Sequence, residues 1–153
     1  MAHIEVSREA PAIGVAETFM KASIETVWQV LSDFEGWPNW NKSVLKIQLN
    51  GPVKAGTSFV WVAGGSKIVS KLEEIDAPNR LAWSGKTFGI RAVHVWKFAQ
   101  EDEGTYVHTE ESFEGLIARL FPGLMKKILA KALDQTIMAL KAEAESRHLS
   151  GAS

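Results

Sequence analysis

Between residues 68 and 113 the chain runs strand after strand, separated only by tight-turn sequences, and it then finishes in one long amphipathic helix that begins at Pro122. This order constrains the fold more than any single motif. Strands joined by connections this short pair antiparallel with their neighbours. A curved antiparallel sheet followed by one long helix offers that helix a single partner, the concave face of the sheet. Such an arrangement tends to leave a hollow between its two layers.

The individual elements follow from spacing. Residues 12–21 form a first strand, and Ser23 is placed to cap a helix, because its side chain can accept from the free amides of a first turn. Ile24, Val27, Leu31 and Phe34 then recur at helical spacing, with Trp28 and Val30 widening the stripe. Gly36 ends that helix and Pro38 starts a short second one. Leu45, Ile47 and Leu49 alternate with polar residues as a second strand, and further strands are expected over 59–62, 68–75, 80–86, 90–99 and 105–114. Gly64-Gly65 is a two-residue hairpin signal, and residues 101–104 make an acidic turn. On the closing helix, residues 122–147, Leu124, Ile128, Leu129, Leu133, Ile137 and Leu140 mark an apolar face. The expected class is therefore α+β: a curved antiparallel seven-stranded sheet wrapped on a long C-terminal helix, with two short helices between strands one and two. One domain covers 12–147, between a loose leader (1–11) and a loose tail (148–153).

Composition removes several function classes. At 153 residues, with 46% hydrophobic and 23% charged residues, the chain can bury a substantial core. A net charge of −1 gives no basic footprint for nucleic acid and no polybasic patch for anionic lipid. Without cysteine there are no disulfides, thiolate metal sites or cysteine nucleophiles. The N-terminus lacks the apolar core of a signal peptide, and no apolar run is long enough to span a bilayer. A cytoplasmic protein without stable membrane insertion is expected. Six tryptophans against one tyrosine suit either a heavy core or an aromatic-lined cavity.

Several local patterns, taken in order, resemble the helix-grip superfamily that includes polyketide cyclases and dehydrases, START-type lipid-transfer domains and the birch-pollen-allergen fold. They are Val27-Trp28 followed by Leu31-Ser32-Asp33-Phe34, then Gly36-Trp37-Pro38-Asn39-Trp40-Asn41. Arg80-Leu81-Ala82-Trp83, His94-Val95-Trp96-Lys97-Phe98 and Glu111-Ser112-Phe113-Glu114-Gly115 come later. The helix end, Ala139-Leu140-Lys141 and Glu143, also fits. The resemblance spans residues 12–147. It implies a deep, mostly apolar cavity between sheet and helix, used by different members for ligand binding or for cyclisation and dehydration. Fold alone does not choose among these.

The residues that suggest chemistry are His94 and Glu111. Alternation puts His94 on one face with Trp96 and Phe98, and Glu111 on one face with Thr109 and Phe113. If the acidic turn is four residues long, Gln100 faces Thr105 and His94 falls opposite Glu111, with Cβ atoms about 4.5–5.5 Å apart. A carboxylate there favours the imidazolium, whereas desolvation opposes it. The pair can serve as general acid and base, anchor a ligand's polar head, or simply satisfy itself as a structural pair. Phe59, Trp61, Trp83, Trp96, Phe98, Phe113, Leu133, Ile137 and Met138 are the candidate cavity walls. His3, His108 and His148 form no three-ligand set, so no metal is expected, and no cofactor motif is present. Three functions follow: a binder of a small hydrophobic or amphipathic molecule, a cyclase or dehydratase using His94 and Glu111, or an interaction module. The last requires an exposed apolar patch, which the outer sheet face (Lys46, Gln48, Lys71, Glu73, Lys97) does not offer. Oligomeric state is left open.

Overall fold

Seven antiparallel strands form one sheet in the order β1-β7-β6-β5-β4-β3-β2 in the computed structural model, which describes residues 3–151. The strands are β1 (Ala12–Met20), β2 (Val44–Leu49), β3 (Ser58–Ala63), β4 (Ser66–Asp76), β5 (Arg80–Thr87), β6 (Ile90–Glu101) and β7 (Gly104–Glu114). Between β1 and β2 stand α1 (Ile24–Ser32) and a 3-10 helix (Phe34–Asn39). Ser23 caps α1 by accepting from the Thr26 amide. The α+β layout expected from the strand ladder, and the helix-grip fold implied by the resemblance, are the architecture found.

The β6–β7 hairpin carries the register on which the site depends. Glu101 pairs with Gly104 across a two-residue turn, Gln100 with Thr105, and His94 with Glu111. The hairpin is tied to the start of α1, because the Ile24 amide donates to Gln100 Oε1 (2.9 Å) and the Thr105 hydroxyl donates to the Ala22 carbonyl (2.8 Å). Gly104 lies so close to the end of β1 that a Cβ there would meet the Met20 carbonyl oxygen at 2.1 Å. Only glycine fits at that approach.

The long helix, α3 (Pro122–Leu149), has 28 residues and runs about 42 Å. Its buried residues, Met125, Leu129, Leu133, Ile137, Leu140 and Ala144, recur every three or four positions, and the helix packs chiefly on β1, α1 and β7. Close contact is possible because Gly14 has no side chain: a Cβ there would lie 2.9 Å from both Leu129 Cγ and Leu133 Cδ1. At 100° per residue, Leu124, Ile128 and Met138 stand off this line and are exposed. The buried face is therefore narrower than the spacing predicts, without Leu124 and Ile128, and Met138, expected as a cavity wall, is 53% exposed and lines no interior wall.

Two further segments differ from expectation. The leader is not loose where it is described: Val6 is buried against Ala82 and Val95 on the convex face. The Ile4 amide and His3 contact the Glu74 carboxylate at 2.9 and 2.7 Å, Arg80 donates to the Ile4 carbonyl, and Arg8 pairs with Glu110. Polar composition hid this strap because its partners are charged groups far away in sequence. A five-residue helix, α2 (Leu116–Leu120), also precedes α3.

Replacing Gly14 with Ala is expected to push α3 off β1 and lower stability by about 1–3 kcal/mol. Urea unfolding checks this; an unchanged midpoint would mean the helix does not rest on that glycine.

Candidate functional site

The concave face is floored by aromatic rings. Phe34, Trp37, Phe59 and Trp83 form one cluster, with Phe34–Trp37 centroids 4.8 Å apart and Trp37–Trp83 5.3 Å apart. Trp37 is fixed by donating its indole N–H to the Leu31 carbonyl (2.8 Å). His94 joins this floor, 4.8 Å from Trp83 and stacked 5.3 Å from Trp96, which in turn stacks on Phe98. Phe59, Trp83, Trp96, Phe98, Leu133 and Ile137, all expected as cavity walls, are buried in closed packing. The hollow inferred from sequence is accordingly filled in its deeper half by side chains.

Toward the tips of the β3–β4 and β5–β6 hairpins the packing opens. Trp61, Ile68, Ala92 and Phe113 are only half-buried. Gly85 and Ala92 pair across β5 and β6, so this part of the concave face carries almost no side-chain bulk. Trp61 spans it and donates its indole N–H to Ser70 Oγ (3.0 Å).

His94 and Glu111 sit at the border between the two regions. The register brings them together as expected, with Nδ1 and Oε1 3.6 Å apart. That is longer than a hydrogen bond. The two side chains are 8% and 17% exposed, and Gly14, under Leu129 and Leu133, is the next residue along the row. Burial pushes the Glu111 carboxyl up to about 8 and the His94 imidazole down to about 3. Both shifts favour the uncharged forms. Near neutral pH the pair is a protonated carboxyl beside a neutral imidazole, and the ion pair that their proximity suggests does not form.

A third residue fixes the tautomer. The Thr109 hydroxyl donates its one hydrogen to the Val95 carbonyl (3.0 Å) and lies 2.8 Å from His94 Nε2. With that hydrogen committed, Thr109 can only accept from the ring, so Nε2 carries the proton. Nδ1 is left as a lone pair facing Glu111. The Glu111 O–H and Nδ1 can then share one proton after a shift of less than about 1 Å, the kind of tightening that occurs when a ligand binds. Thr109 was recognised from sequence only as inward-facing; its two contacts depend on a register that alternation alone does not supply. Trp96 Nε1 is also buried with no hydrogen-bond partner among the described residues, which leaves a donor unspent on this face.

Other polar groups fall elsewhere. His108 lies on the convex side with Glu17 and Glu110. Among the described residues no helix is long and apolar enough to cross a membrane. Two surface hollows, of about 560 and 320 Å³, lie at the β5–β6 tip and beside Lys97, Tyr106 and His108, and neither is lined by His94 or Glu111.

A curved seven-stranded sheet gripping one C-terminal helix, with its polar pair on the concave face, makes this a helix-grip protein. The chain belongs to the family described as polyketide cyclase / dehydrase and lipid transport, whose model matches residues 1–145. Among solved structures, a protein from Thermus thermophilus is 27% identical, with a TM-score of 0.70 over 92% of this chain and 99% of its own. A START superfamily protein from Mycobacterium smegmatis is 14% identical, with a TM-score of 0.75 over 88% of this chain and 97% of its own. The Zhui aromatase/cyclase from a Streptomyces species is 14% identical, with a TM-score of 0.78 over 88% of this chain and 94% of its own. The last two likenesses establish the fold only. No curated protein matches the sequence.

Thr109→Val is expected to leave the His94 Nε2–H without an acceptor, at a cost of about 1–2 kcal/mol. Nitrogen-15 shifts of the ring should move away from the Nε2–H tautomer in that variant and stay in place in Thr109→Ser. Identical spectra in all three proteins would show that Thr109 does not set the tautomer.

Proposed function

We propose that the protein binds a small hydrophobic or amphipathic molecule, lipid-like or polyketide-like, against the open end of the concave face. The observation that carries this reading is the position of the His94–Glu111 pair. Two polar groups, both pushed toward neutrality by burial, stand where closed aromatic packing gives way to a half-buried apolar rim. Neutral donors and acceptors orient a ligand's polar head without requiring a counter-charge on the ligand. The rim around Trp61, Ile68 and Phe113 supplies apolar surface, worth roughly 25 cal/mol per Å² removed from water. The family description, which joins lipid transport with cyclase and dehydrase activity, is consistent with a ligand of this kind.

A second reading, a cyclase or dehydratase, is favoured by the protonation of the same pair. Glu111 holds a proton at neutral pH and His94 Nδ1 can take one up, so acid and base stand side by side.

Native mass spectrometry of the purified protein is expected to reveal a small-molecule adduct that persists under native conditions and is lost on denaturation. Anilinonaphthalene sulfonate should bind saturably, and Trp61→Ala and Phe113→Arg should each weaken it by at least about fivefold. No adduct, together with probe binding indifferent to both variants, would sink the binding reading. For the catalytic reading, Glu111→Gln should abolish turnover of a poly-β-ketone thioester while probe affinity stays within about threefold. Equal loss of both would assign the pair to anchoring alone.

A further inference from the structure

Six large apolar side chains stand in solvent at one end of the molecule. Phe88, at the β5–β6 tip, is 93% exposed, and Leu116, Leu120, Phe121, Leu124 and Ile128 continue the patch along α2 and the first turns of α3. The two parts are joined, since the Ile117 amide donates to the Gly89 carbonyl (3.3 Å) and holds α2 against the hairpin tip. Leu116 and Leu120 are one turn apart. Phe121, Leu124 and Ile128 follow at three- and four-residue steps, so they share one side of α3, away from the buried line through Met125 and Leu129.

The charge around this patch is of one sign. Lys67, Lys86 and Arg91 border the hollow of about 560 Å³ whose apolar wall includes Val69, Phe88 and Leu116. Arg119, Lys126, Lys127 and Lys131 project from exposed positions on α2 and α3. Residues 64–69, 86–91 and 115–131 thus hold seven of the chain's 17 Lys and Arg and none of its 18 Asp and Glu. None of the seven forms an ion pair among the described residues. The net charge of −1, which argued against an anionic-lipid footprint, is an average over a cationic end and an acidic remainder.

We propose that this end of the molecule docks on the surface of an anionic lipid bilayer. Exposed Phe and Leu side chains enter the headgroup–acyl boundary while the surrounding Lys and Arg meet lipid phosphates, and either contribution alone gives only weak binding. The occupant follows from charge. A second copy of this chain would bring seven cations against seven, and a neutral apolar partner would leave all of them uncompensated in a desolvated rim. Docking here is peripheral, with no segment crossing the membrane, and it is independent of whether the concave face holds a ligand.

Vesicle co-sedimentation tests the proposal. The protein should bind phosphatidylcholine vesicles containing about one-third phosphatidylglycerol at least about tenfold better than pure phosphatidylcholine vesicles, and salt near 0.5 M, about three times physiological, should release it. Phe88→Asp and the double variant Lys126→Glu/Lys127→Glu should each lower binding by at least about tenfold. Lys46→Glu, on β2 away from the patch, should not. All these positions are exposed, and circular dichroism of each variant checks that it is folded. Equal binding to both vesicle types, no binding to either, or indifference to both patch variants would overturn the proposal. So would a dimer in sedimentation velocity that Phe88→Asp dissociates, because it would assign the patch to self-association.

Discussion

The two-residue turn between Glu101 and Gly104 sets the register of β6 on β7, and most of the site follows from that register. With the turn in place, His94 lies opposite Glu111 and Trp96 opposite Thr109. A slip of one residue would carry either partner to the convex face. The turn is itself held from outside, by Gln100 and Thr105 bonding to the chain that enters α1 and by the glycine that lets β1 approach. Gly14 completes the row next to Glu111, and its missing side chain admits Leu129 and Leu133 from α3. The close seat of the helix on the sheet thus falls directly beside the polar pair.

That dryness decides the chemistry. Two unit charges 3.6 Å apart attract by about 4–5 kcal/mol at an effective dielectric constant near 20. Taking two ions out of water costs several kcal/mol for each. Here the second effect wins, and the groups stay neutral with their pKa values driven apart. A carboxyl that keeps its proton at neutral pH, beside an imidazole whose open nitrogen is fixed by Thr109, can hand a proton in either direction or hold a polar head. An imidazolium–carboxylate pair would do neither as readily, having already spent its proton on itself.

The architecture was legible in the sequence because strand alternation, turn glycines and helical spacing are local signals. The His94–Glu111 pairing was legible for the same reason, since counting back from a short turn fixes opposite residues. Protonation was not legible, because it depends on burial, which residues far apart along the chain supply together. Thr109 escaped notice because its role rests on where its single hydroxyl hydrogen goes. Met138 falls outside because it stands about 100° around the helix from its buried neighbour Ile137, so it points to solvent even where α3 is packed inward. The cationic end was hidden by averaging: seven basic residues from three separated segments converge only when the hairpins and α2 come together.

The carbon-13 chemical shift of the Glu111 carboxyl, followed through a pH titration of the intact protein, tests the account most directly. A midpoint near 8 is expected, because burial holds the proton on against the pull of bulk water. A midpoint near the ordinary value of 4.5 would mean that Glu111 is ionised at neutral pH and that the neutral pair does not exist.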